Sequence, residues 1–127
     1  MKTILVADDE DFLRLLVRET LDAYRVLEAR DGEEALAIVR EARPDLLILD
    51  WMMPVLDGPG VLERLRADDA TRGLKVLMVT ARSGEAEQAR VREAGADAVL
   101  SKPFGTRDLR ESVERVLSSA RVPGAGP

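Results

Sequence analysis

The chain has 127 residues, 46% hydrophobic and 34% charged, which suits one globular domain with a real core and excludes a disordered chain. Its net charge of -5 gives no support to a nucleic-acid surface, and the absence of cysteine and histidine excludes disulfides, thiolate metal sites and histidine-based catalysis. No apolar run approaches the ~20 residues of a membrane span, and the acids in "MKTILVADDE" are unlike a signal peptide, so a soluble cytoplasmic domain is expected.

In chain order, short apolar runs alternate with longer periodic ones. Residues 3–7 (TILVA) read as a strand that runs into four acids, Asp8, Asp9, Glu10 and Asp11. The spacing of Leu13, Leu16, Val17 and Leu21 predicts a helix over 11–22. A strand at 25–29 (RVLEA) and a helix over 33–42, with Ala35, Leu36 and Val39 inward, come next. The runs 45–49 (DLLIL) and 75–79 (KVLMV) are nearly continuous apolar, as strands covered on both faces should be, and a helix at 58–67 separates them. The helix at 84–94 is expected to pack mainly through Ala86, Ala89 and Ala94, which bury little area. A strand at 97–101 (DAVLS) leads into a helix over 106–119 with Leu109, Val113, Val116 and Leu117 inward. Turn pairs Asp31-Gly32, Arg43-Pro44, Asp57-Gly58 and Ala94-Gly95 fall at the joints. This alternation predicts an α/β fold, a doubly wound five-stranded parallel sheet in the order 2-1-3-4-5 flanked by five helices. Residues 1–120 make the domain, and 121–127 (RVPGAGP) read as a flexible tail or the beginning of a linker.

In such a sheet, ligands sit beyond the carboxyl ends of the strands. Strand 1 presents Asp8 and Asp9 there, strand 3 Asp50, strand 4 Thr80, and strand 5 Lys102 followed by Pro103. Strand 2, ending Glu28-Ala29-Arg30, lies to one side. Each residue alone has an ordinary explanation. Asp8 and Asp9 could open a helix, Asp50 end a strand, Thr80 fill one, and Lys102 sit in solvent. Three converging carboxylates repel, however, and a hard divalent cation such as Mg²⁺ (or Mn²⁺) resolves the conflict with oxygen ligands. Asp50 could then attack phosphorus, with Thr80 and Lys102 stabilising the transferring group. Glu10 and Asp11 read as the start of helix 1, and Asp57 as a turn and helix start.

The segments "VADDE", "LLILDWMMPVLDG", "VLMVTA" and "GADAVLSKPF" resemble the receiver domain of two-component response regulators, over residues 2 to about 120. The resemblance implies a flavodoxin-like fold of the chemotaxis-regulator kind, with Asp50 as phosphoacceptor. It implies that Asp9 ligates Mg²⁺, that Asp8 acts beside it, and that the backbone carbonyl of Met52 completes the site. Thr80 matches the switch hydroxyl, Lys102 the phosphate-pairing lysine, and Lys102-Pro103 a cis bond. The implied phosphodonor is a sensor histidine kinase or a histidine phosphotransfer protein. The implied output is an unknown downstream protein, with no membrane and no direct nucleic-acid contact. The domain would phosphorylate itself rather than turn over a metabolite. Phe12 and Leu15 lie beside the core stripe of helix 1; edge packing would explain them, and an exposed patch for docking a kinase is preferred.

The chain also departs from the family pattern. Val99 stands where many receivers carry Tyr or Phe, so the Thr80 movement must be read out differently, or weakly. Met52 and Arg82, the variable positions flanking the phosphoryl site, are neither acid nor amide, which predicts slow self-dephosphorylation. Helix 5, "LRESVERVL", lacks the arginine of receivers that pair in order to bind DNA, and Ala98 replaces an acid common among them. Both a stand-alone regulator and the N-terminal module of a larger one fit. The alternative is a haloacid-dehalogenase-like phosphatase with Asp9 as nucleophile; Asp9 and Asp11 suit its signature and Leu13 does not. A flavin site is poorer still, because a phosphate loop after strand 1 needs Gly, Ser or Thr.

Overall fold

The computed structural model describes residues 1–81 and 84–119. Arg82 and the predicted tail at 121–127 lie outside the described residues. Five strands, β1 (Thr3–Ala7), β2 (Arg25–Ala29), β3 (Leu46–Asp50), β4 (Lys75–Thr80) and β5 (Ala98–Ser101), alternate with five helices. These are α1 (Asp11–Thr20), α2 (Gly32–Ala42), α3 (Gly58–Ala67), α4 (Glu85–Glu93) and α5 (Thr106–Ser118). All pairings are parallel and the order is β2-β1-β3-β4-β5, as the alternation predicted.

Side chains alternate across the strands and so build two cores. One face presents Leu5, Leu47, Leu49, Val76 and Met78 to α2 and α3 and to Val91 of α4. The other presents Ile4, Val6, Leu46, Ile48, Leu77 and Val79 to α1 and α5. Each fully buried leucine contributes about 1.5–3 kcal/mol, so the central strands are the rigid part of the molecule.

Local chemistry sets the helix ends. Asp31 and Asp57 cap α2 and α3, accepting from the backbone N–H groups of Glu34 (2.8 Å) and Gly60 (2.9 Å). Gly58 is needed for close approach: a Cβ there would lie 2.5 Å from the Asp50 carbonyl oxygen, so α3 starts directly against the end of β3. At the opposite pole, Arg66 is a strut. It donates to the carbonyls of Gly95, Arg72 and Leu74 and pairs with Asp97, which ties α3 to the starts of β4 and β5.

Two helices differ from expectation. In α1, Leu13 and Leu16 are only half-buried, whereas Arg14 and Thr20 are buried with Val17. The Arg14 stem covers apolar surface while its head reaches polar partners below the helix. In α4, Ala86 and Ala89 are exposed, as is Ala94 at its C-cap, and Val91 is the buried residue. The helix is anchored as weakly as predicted, through a different side chain.

Between β3 and α3, Val55 has φ 72° and is 76% exposed, at the centre of a tight turn closed by Leu56 N–H to Pro54 C=O at 2.8 Å. A β-branched residue with positive φ is strained by roughly 1–3 kcal/mol. Val55→Gly relieves this strain and adds about 0.5–1 kcal/mol of unfolded-state freedom. The net expectation is a stability gain of about 1 kcal/mol in urea unfolding.

Candidate functional site

The register of the sheet assembles the site. Ala7 is level with Leu49, so the residues that follow, Asp8 and Asp50, emerge at one height on adjacent strands. Thr80 ends β4 beside Ser101, and Lys102 follows β5. Asp50 and Thr80 are thus the last residues of their strands, one position further inside than the sequence pattern suggests. Asp8, Asp50 and Thr80 are 1%, 5% and 1% exposed, and Asp9 stands open on the rim.

Carboxylate oxygens of Asp8, Asp9 and Asp50 lie within 4.8 Å of one another. Lys102 Nζ sits 3.3 Å from Asp8 Oδ2 and 3.3 Å from Asp50 Oδ1, with Glu10 Oε1 further off at 3.9 Å. The Lys102-Pro103 bond is cis, and the Lys102 N–H donates to the Thr80 carbonyl at 2.8 Å. Burial, and then the neighbouring Asp8 charge, push the Asp50 carboxyl up to about 6; Lys102 and the Met52 backbone N–H act against that rise. Burial works against the Lys102 charge, yet Asp50 and Asp8 outweigh it and hold the ammonium above its ordinary value.

Among the described residues, one lysine therefore leaves the cluster with excess negative charge. All three donors are carboxylate oxygens, which suit a hard ion such as Mg²⁺ or Mn²⁺ and do not suit a soft metal. The residues present fit a divalent cation on both counts. Beside them an open cleft of about 400 Å³ is lined by Asp9, Met52, Met53, Pro54 and Asp57. The Met52 side chain is 62% exposed, while its backbone faces Asp50.

Other predicted residues fall into place around this centre. Glu10 is the N-cap of α1 but makes no side-chain cap bond, and Asp11 opens the helix. Asp57 caps α3, in keeping with a helix start rather than a ligand. Phe12 is 74% and Leu15 41% exposed, so packing at the core edge does not explain them. Phe12 instead borders a cleft of about 490 Å³ with Leu13, Leu16, Pro103, Phe104 and Lys102. Val99 pairs with Met78 and packs, half-buried, against the α2–α4 core.

Sequence reasoning missed Arg14 and set strand 2 aside. In the structure Arg14 Nη1 donates to the Asp8 carbonyl at 2.8 Å and Nε to Glu28 Oε1 at 3.2 Å, bringing the end of β2 into the site. Burial opposes the Arg14 charge; hydrogen bonds and attraction from Asp11 and Glu28 overcome it and raise its pKa. An arginine between Leu13 and Leu15 gives no sign of burial in a helical pattern. The one available signal was the uncompensated acid count around it.

The family model of the response regulator receiver domain matches residues 4–114. The chain belongs to that family. This receiver domain is 32% identical over 121 residues to the polar-differentiation response regulator DivK of Brucella anthropi, covering 94% of this chain and 98% of that protein. It is 40% identical over 120 residues to the phosphate regulon transcriptional regulatory protein PhoB of Rhizobium meliloti, of which it spans about half the length (53%), with 93% of this chain covered. Among solved structures it resembles chemotaxis protein CheY4 of Vibrio cholerae, with a TM-score of 0.85 and 33% identity over 91% of this chain and 98% of that one. Receiver domains bind Mg²⁺ at an acidic pocket and interact with histidine kinases and downstream effectors. Among the described residues of this one, no helix is long and apolar enough to cross a membrane.

Without a metal, the raised Asp50 carboxyl couples the stability of the domain to pH. Because the folded value (about 6) exceeds the ordinary 3.8, the folded state holds the proton more tightly than the unfolded chain. Stability therefore falls as pH rises from about 4 through about 6, and stays low above. Asp50→Asn removes the repelled charge; at neutral pH without metal it should raise stability by about 1–3 kcal/mol in urea unfolding and flatten that pH profile.

Proposed function

We propose that this receiver domain accepts a phosphoryl group on Asp50 from a phosphohistidine of a sensor kinase or phosphotransfer protein, with Mg²⁺, and thereby switches a protein-interaction surface. The observation that carries this reading is Lys102 Nζ at 3.3 Å from both Asp8 and Asp50. It marks the pole where a phosphoryl group leaving its donor would find a counter-charge. An Asp50 oxygen forms the new P–O bond as the P–N bond to the donor imidazole breaks, and the electron pair returns to the ring. Lys102 then exchanges its carboxylate partner for a phosphoryl oxygen, and the Thr80 hydroxyl hydrogen-bonds another. Asp9, Asp50 and the Met52 carbonyl, with Asp8 beside them, would hold Mg²⁺, which would supply the remaining charge neutralisation.

The same pairing favours Asp50 over Asp9 as nucleophile, against the phosphatase alternative. The chemistry is a stoichiometric self-phosphorylation, so the domain is a switch and not a turnover enzyme. The exposed Phe12 and Leu15, with the cleft against Pro103 and Phe104, support docking of a helical donor next to Lys102. Such a donor places the switch in the cytoplasm. Phosphorylation shifts a pre-existing equilibrium by as much as phosphate prefers one state. Met52 offers no acid or amide to orient a water, which favours a long-lived phospho-Asp50.

Incubation with acetyl phosphate and Mg²⁺, followed by intact-mass measurement, tests this. One phosphoryl adduct on the wild type and none on Asp50→Asn are expected, with decay over minutes or longer after donor removal. An adduct retained by Asp50→Asn would refute the site, and decay within seconds would refute the long lifetime.

A further inference from the structure

Arg14, near the beginning of α1, touches neither the phosphoryl position nor the cation ligands' carboxylates, yet it is only 5% exposed. Its fork joins three elements. Nη1 donates to the Asp8 carbonyl at 2.8 Å, Nε to Glu28 at 3.2 Å, and Nη2 to the Asp11 carboxylate. The carbonyl it holds belongs to the peptide that links Asp8 to Asp9. That peptide is planar, so fixing its C=O fixes the plane from which Asp9 departs. Asp8 is already fixed elsewhere: its N–H donates to the Ala29 carbonyl at 3.1 Å, Oδ1 accepts from the Glu10 N–H at 2.9 Å, and Oδ2 from Lys102 at 3.3 Å. Asp9 is exposed, so the aim of its carboxylate is inherited from the backbone.

We propose that Arg14 is a positioning residue for the divalent-cation site, holding the Asp8–Asp9 peptide so that the Asp9 carboxylate meets those of Asp8 and Asp50. The inference rests on the reading of this cluster as a Mg²⁺ site. Charge alone would act in the opposite direction. A guanidinium beside a cation site repels the incoming ion, so deleting a purely electrostatic Arg14 would tighten Mg²⁺ binding. Deleting a group that orients ligands weakens binding, by about 10–100-fold at comparable metal sites. The sign of the change separates the two roles.

Trp51 is the sole tryptophan, directly follows Asp50 and is 9% exposed, so its emission reports on the site. Mg²⁺ titrations of the full chain would compare wild type, Arg14→Met, Arg14→Lys and Arg66→Met, with urea unfolding of each. Arg66 is the matched control: a second arginine with a largely buried side chain (12% exposed) that braces backbone carbonyls, at the opposite pole of the sheet. Arg14→Met is expected to raise the Mg²⁺ Kd about tenfold or more. Arg14→Lys keeps the charge and loses the fork, and should raise it about threefold or more even if Arg14→Met fails to fold. Arg66→Met should lose stability while its Kd stays within about twofold of wild type. A Kd unchanged or lowered in the Arg14 variants overturns the positioning role. An equal rise in Arg66→Met also overturns it, because the effect would then follow general stability. A wild type with no saturable Mg²⁺ response overturns the metal reading itself, and this inference with it.

Discussion

Repulsion among Asp8, Asp9 and Asp50 is the constraint to which the rest of the molecule answers. Their oxygens lie within 4.8 Å of one another, two of the three residues are buried, and, among the described residues, a single lysine bridges those two. No chain relaxes into such an arrangement for its own stability; the carboxyls would separate or protonate. Burial, with the Asp8 charge added to it, pushes the Asp50 carboxyl up to about 6 despite Lys102. The arrangement persists because each acid is fixed by something stronger. Asp50 ends a strand buried along its whole length, Asp8 continues another, Arg14 holds the Asp8 carbonyl, and Lys102 pairs with the Asp8 and Asp50 carboxylates. The deficit of positive charge is what a divalent cation, and later the Thr80 and Lys102 contacts to a phosphoryl group, would use.

The rigidity is unevenly placed. β1, β3 and β4 carry apolar residues on both faces, and Arg66 locks the pole away from the acids. At the acidic pole, Val55 sits strained in the loop after β3, and α4 is held by Val91 with its remaining residues largely in solvent. Elements with few buried contacts open at low free energy and are the ones that can exist in two arrangements. Val99 stands in β5, which packs against α4, so any movement at Thr80 would have to reach the surface through that contact. The hydrogen bond from Gln88 to Ser101 (3.3 Å) is one direct link between them.

The sequence was most legible where one physical demand acts on a run of residues. Short continuous apolar runs at Leu46–Leu49 and Val76–Val79, bounded by polar residues, suit strands covered on both faces, and once the order of strands follows, Asp8, Asp50, Thr80 and Lys102 must share one pole. Ends of elements were legible to within a residue or two, because Asp31, Arg43, Asp57 and Gly95 act locally. Side-chain burial on short helices was less so. Ala86, Ala89 and Ala94 fit a helical stripe, but α4 turns Val91 inward instead, and nothing in a nine-residue helix of mostly polar residues fixes its rotation. Arg14 was illegible for a different reason. Its burial depends on the Asp8 carbonyl, Glu28 and Asp11 converging from three elements, a fact of tertiary structure with no periodic trace.

The central claim is that the acidic cluster is built for a divalent cation and is under electrostatic stress without one. Thermal unfolding at about pH 7.5, in Mg²⁺ against NaCl of matched ionic strength, measures this directly, since an ion that binds only the folded state adds about 1.4 kcal/mol at ten times its Kd. The account predicts a saturable rise in Tm with Mg²⁺ that matched NaCl does not reproduce and that Asp9→Asn largely removes. Equal Tm values in the two salts, with the wild-type chain folded in both, would contradict it.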